Sequence, residues 1–131
     1  MKKLFLFLLA ACFSITIYGQ YYVSSQHLTT APAAQFKLII SQAQYNVDAY
    51  KIVYNTTDVD GTPTIASGML AVPKAHPCDS LSTVSYAHGT VLKKEDVPSR
   101  NTGEAFLTMA CASVGAAAVA PDYLGLGDNP G

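Results

Sequence analysis

The chain has 131 residues, half of them apolar and 13% charged, with a formal net charge of −1. That length suits one small domain, and that composition excludes a disordered acidic or basic tail. A nucleic-acid surface is excluded too: there is no basic stripe, and Lys93-Lys94 runs straight into Glu95-Asp96, which reads as a solvated loop.

Met1-Lys2-Lys3 is a basic opening, Leu4 to Tyr18 is almost wholly apolar, and small Gly19 precedes Gln20. This is the pattern of a secretory signal peptide over residues 1–19, with Ile17 larger than the small residue usual two places before the cleavage position. The apolar run is short for a stable membrane span. The expected location is therefore outside the cytoplasm, secreted or periplasmic. The alternative is a lipid anchor at Cys12, because Leu9-Ala10-Ala11-Cys12 resembles a bacterial lipobox. Removing residues 1–19 takes away Lys2 and Lys3 and leaves six Lys+Arg against nine Asp+Glu, a net charge of −3. Cys78 and Cys111 would remain. In an exported protein they can pair as a disulfide, and Cys111 can equally be a small buried residue of a helix.

Residues 20–46 read as a lead-in segment. Gln20 to Ala34 is polar and extended, and Gln35 to Gln44 suits a short helix or a strand equally. From Asp48 to Thr57, side chains alternate around Tyr50, Ile52 and Tyr54, and the run is rich in β-branched and aromatic residues, which predicts a strand. Asp58 to Pro63 is a turn, with Asp60 bonding its own backbone and Gly61 free to turn left-handed. Thr64 to Val72 resumes as a strand, in which Gly68 signals a bulge or a close approach. The two runs predict an antiparallel hairpin.

A strand–helix–strand unit follows. Leu81 to Ala87 is an apolar strand that opens into His88-Gly89-Thr90. Asn101-Thr102-Gly103-Glu104 has capping-box spacing. Ala105, Phe106, Met109, Ala110 and Ser113 then share one helical face, and Gly115 stops the helix. Ala116 to Ala120 is wholly apolar, as befits a strand covered on both faces. It opens into Pro121-Asp122-Tyr123-Leu124-Gly125-Leu126-Gly127. Two glycine loops thus sit at the carboxyl ends of neighbouring strands, where open α/β sheets bind ligands.

Four segments in this order carry a resemblance: Tyr50-Lys51-Ile52-Val53-Tyr54, Ala66 to Pro73, Ala87-His88-Gly89-Thr90 and Ala120 to Gly127. Together they resemble the N-terminal part of an α/β-hydrolase, closest to the secreted lipase and esterase branch, over residues 47–131. The fold class implied is α/β: an incomplete α/β-hydrolase sheet made of the hairpin plus one strand–helix–strand unit. In that strand order the 116–120 strand lies inside the 81–87 strand, whose outer edge pairs with a later strand. The resemblance implies an oxyanion hole to which Thr90 contributes its backbone N–H, with Gly89 letting the backbone approach the substrate. His88, Asp122, Gly125 and Gly127 would orient the loops. No cofactor is implied, the partner is a small-molecule ester, and the oligomeric state stays open.

The family's chemistry also needs a serine on a G-x-S-x-G elbow, an acid and a late histidine. No serine here has glycine two residues before and two after, and the histidines are His27, His76 and His88. No member of the triad is present. No metal-ligand spacing replaces it, and no C-x-x-C occurs. The expectation is the front part of a longer secreted serine hydrolase acting on carboxylic esters, lipids included, and inactive as this chain alone. The alternative is a stand-alone exported module that binds or builds without catalysis and covers its outer strand by dimerising or with a partner strand.

Overall fold

The computed structural model describes residues 21–77 and 80–131. The signal-peptide reading, the Cys12 alternative and Cys78 lie outside the described residues. The elements, in chain order, are β1 (Tyr22–Ala31), α1 (Ala33–Lys37), β2 (Val47–Thr57), β3 (Pro63–Pro73), β4 (Thr83–Ser85), a 3₁₀ turn (Pro98–Arg100), α2 (Gly103–Ser113) and β5 (Ala117–Pro121). The strands form one mixed sheet in the order β1-β2-β3-β5-β4. β5 pairs antiparallel with β3 and parallel with β4. The later strand therefore lies inside the earlier one, as the resemblance implies.

The hairpin forms where the alternation places it. Its register runs unbroken from Val47↔Pro73 to Thr57↔Pro63. At its tip Asp60 Oδ1 accepts from Thr62 N and Oγ1, while Gly61 sits at φ 85. Alternation then decides what each face meets. Val47, Ala49, Met69, Ala71 and Ala118 share one face and join Ala105, Met109, Ala110 and Ala112 of α2 in the buried core. The contact is largely alanine against alanine, which lets helix and sheet come close. Phe36 of α1 fills the end of this layer, fully buried, with its ring 5.3 Å from that of Phe106. The opposite face carries Tyr50, Ile52, Tyr54, Leu70 and Val119 half-buried. Among the described residues, no helix covers it.

Gly68 marks a close approach rather than a bulge. A Cβ there would lie 2.7 Å from the backbone oxygen of Ala120, which the β3–β5 ladder holds in place. Gly68→Ala should destabilise the protein by about 1–3 kcal/mol, read as a lower urea midpoint. An unchanged midpoint would mean the strands have room to part.

The structure departs from the sequence reading in three places. The polar lead-in is not outside the sheet: Tyr22–Ala31 pairs along β2 as an edge strand, largely exposed. An edge strand needs only backbone partners, so it carries no apolar pattern. The strand expected over Leu81 to Ala87 is three residues long and exposed throughout, because only Thr83, Val84 and Ser85 register with β5, at the edge of the sheet. Its outer edge has no partner among the described residues, and Val84 is the one apolar residue of the strand it exposes.

The third departure is the capping box, which is not made. Pro98 starts the 3₁₀ turn, which ends on Asn101 in the left-handed region at φ 57. Thr102 then takes the cap position of α2, with its hydroxyl donating to Val97 O instead of to the helix. Glu104 accepts from Tyr86 Oη at 2.8 Å, and that bond holds the Tyr86 phenol above its usual pKa. Gly115 follows the helix at φ 106, as a C-terminal stop should.

Candidate active site

The parallel β4–β5 pair delivers both glycine loops to the same end of the sheet. Between them lies a cleft of about 310 Å³ lined by His88, Gly89, Thr90, Val91, Tyr123, Leu124 and Leu126. Two larger depressions, of about 590 and 520 Å³, run along β1 and β2 and include no residue of these loops. The smaller cleft is the one lined by residues of both glycine loops.

His88 is the hub of the first loop. It is buried, with its ring stacked on Tyr123 at 4.3 Å between centroids and 25° between planes. Its Nδ1 is 2.8 Å from Gly89 O, and its Nε2 is 3.4 Å from Asp122 O. A carbonyl only accepts, so the nearer contact places the ring proton on Nδ1. That bond stays within the first loop, and the ring meets the second loop through its stack on Tyr123. Among the described residues, Gly89 N–H and Thr90 N–H have no acceptor, and both residues are exposed in the cleft. Gly89 is not at positive φ, and a Cβ there would meet nothing within 4 Å. Its lack of a side chain leaves the cleft open and is not a requirement of the turn.

The second loop is tied down by polar side chains. Asp122 is fully buried; its Oδ1 accepts from Ser99 N at 3.1 Å and its Oδ2 from Ser67 Oγ at 2.5 Å. Ser67 Oγ in turn accepts from Asp128 N at 2.8 Å. Asn129, also buried, accepts from Gly125 N and donates to Ile65 O and Thr64 Oγ1. The Asp128 carboxylate pairs with Lys51 at 2.6 Å and with Arg100 at 2.8 Å. Gly127, at φ 56, fits because a Cβ there would run into Asp122 Oδ2 and Ser67 Oγ. Gly125, at φ 81, turns the loop left-handed. Burial, and after it the Asp122 charge, push the Tyr54 phenol above its usual pKa.

The residues singled out from the sequence are therefore together: His88, Gly89 and Thr90 on one side, Asp122, Gly125 and Gly127 on the other. Sequence reasoning missed Ser67, Asn129 and Tyr123. A serine on the inward face of β3 was the one signal for Ser67. Tyr123 combines a left-handed backbone at φ 72 with a phenol that donates to His88 O at 3.0 Å. That backbone region costs a non-glycine residue about 1–2 kcal/mol. Cys111 is packed against the core, half-buried, with no disulfide partner among the described residues. No cluster of metal-ligating side chains occurs among the described residues, and no helix among them is long and apolar enough to cross a membrane.

Solved structures share this fold. A Legionella pneumophila protein assigned to the hydrolases superposes with a TM-score of 0.74 at 36% identity, over 84% of this chain and 32% of that one. The chain described here has part of an α/β-hydrolase fold. The rice cell wall degrading esterase LipA of Xanthomonas oryzae superposes on this α/β-hydrolase portion with a TM-score of 0.71 at 26% identity, over 87% of this chain and 31% of that one. A ligand-bound form of LipA gives 0.67 at 25% identity, over 83% and 30%. The chain thus spans about a third of the length of the structures it matches. No protein-family model and no curated protein matches it.

Proposed function

We propose that this α/β-hydrolase portion supplies the oxyanion side of a secreted serine hydrolase that cleaves carboxylic esters, with nucleophile, acid and base contributed by sequence beyond these 131 residues. The observation that carries the reading is that Gly89 and Thr90, whose backbone N–H groups have no acceptor among the described residues, line a cleft at the carboxyl end of β4. Free N–H groups held by a rigid loop stabilise the oxygen that turns negative in acyl transfer, and they need no reorganisation when the charge appears. Thr90 N–H is the principal donor and Gly89 N–H the second, and the missing side chain at Gly89 keeps the approach open. Val91, Leu124 and Leu126 give the cleft an apolar wall suited to the hydrocarbon part of an ester. Export rests on the pattern of residues 1–19.

The test begins with the open reading frame around this chain and the intact mass of the exported product. The expected product is much larger than residues 20–131 and contains a G-x-S-x-G elbow. It should hydrolyse p-nitrophenyl butyrate, with activity abolished by a serine-directed phosphonate, while residues 20–131 alone do not. An exported product of about this chain's own mass, with no ester hydrolysis, would overturn the reading in favour of a non-catalytic exported module.

A further inference from the structure

We infer that Tyr123 is a positioning residue of the ester site, acting through the His88 carbonyl; the inference rests on the oxyanion reading above. A trans peptide is planar, with its C=O and N–H on opposite edges. Holding the oxygen of one peptide therefore aims its N–H the other way. Two successive peptides in the first loop are held in this manner. The His88 ring holds Gly89 O at 2.8 Å, which aims Thr90 N–H. The Tyr123 phenol holds His88 O at 3.0 Å, which aims Gly89 N–H. The stacked His88 and Tyr123 rings thus fix the planes of two successive peptides, whose N–H groups have no acceptor among the described residues.

Tyr123 is built for this and not for filling the core. The residue is 39% exposed and lines the cleft, and its backbone is left-handed, which packing alone would not require. The buried Asp122 beside it fixes the chain at the point where that backbone turns. The second loop thereby sets the direction of donors carried by the first.

The experiment is Tyr123→Phe in the full-length protein, which keeps the ring and its stack and removes a single O–H. With p-nitrophenyl butyrate, kcat should fall about tenfold, equal to about 1.4 kcal/mol of transition-state stabilisation. KM should stay within about twofold, because the donors act on the transition state and not on the bound ester. The ¹³C resonance of a selectively labelled His88 carbonyl should shift in the same variant. An unmoved resonance, or an unchanged kcat in an active wild type, overturns the role of Tyr123 and leaves the oxyanion reading standing. A wild type without esterase activity removes the oxyanion reading, and the role of Tyr123 falls with it.

Discussion

Thr90→Pro in the full-length hydrolase should lower turnover of a short-chain ester by roughly 10²–10³-fold, the usual cost of one lost oxyanion donor. Proline has no N–H and prefers φ near −65°, so the substitution deletes the donor itself. It leaves the oxygens of His88 and Gly89 available to Tyr123 and the His88 ring. Thr90 is exposed and makes no backbone hydrogen bond among the described residues, so the fold loses little. A donor used only in the transition state should lower kcat and kcat/KM together and leave KM nearly unchanged. Circular dichroism matching the wild type must accompany the kinetics. Unchanged turnover in a folded variant would reject Thr90 as the donor.

Much of this fold can be read directly from the sequence, and the unread parts have one physical cause. The β2–β3 hairpin announces itself because each strand has one face toward α2, and burial imprints a two-residue alternation. β5 announces itself by its wholly apolar run, although the structure buries only Ala118 and Ala120 and leaves Ala117 and Val119 half-buried. β1 does not, because it sits at the sheet edge with its side chains largely in water, and backbone pairing leaves no mark on side-chain type. The start of α2 was misplaced by spacing alone: Asn-x-x-Glu fits a capping box, but the turn begun at Pro98 reaches Asn101 first and spends it on a left-handed close.

The site divides along the same line. His88, Gly89, Thr90 and Asp122 stand beside strand ends, where an apolar run stops at a glycine motif. Ser67 and Asn129 lie 55 and 7 residues from Asp122 along the chain, and their bonds exist only after β3 meets β5. No local pattern encodes such a contact. Tyr123 was visible as a letter within the second motif. Its role depends on a carbonyl 35 residues earlier, which composition and spacing do not report.

Asp122→Ala should cost about 3 kcal/mol of stability, which is a large part of the 5–15 kcal/mol that holds a typical domain. The carboxylate is fully buried, and its two oxygens satisfy Ser99 N–H and Ser67 Oγ–H. Hydrogen bonds to a charged group contribute about 1.5–3 kcal/mol each, and a buried donor left unmet costs about 1–3 kcal/mol. Ser99 N–H sits on the rigid 3₁₀ turn and cannot follow a retreating partner. Ser67 Oγ can rotate and keeps its bond from Asp128 N, so its share of the loss is smaller. With a urea slope of about 1–3 kcal/mol/M, the midpoint should fall by about 1 M or more. Asp122→Asn keeps one carbonyl oxygen as an acceptor and should lose about half as much, since it removes charge and one acceptor but not the shape. A loss below about 1 kcal/mol for the alanine variant would show that the loop is held by Asn129 and the Lys51–Asp128–Arg100 ion pairs instead. The catalytic consequence separates the two variants further. Once the carboxylate no longer anchors the residue before Tyr123, the phenol loses its fixed approach to His88 O. Turnover should therefore fall in Asp122→Ala even at temperatures where the protein remains folded.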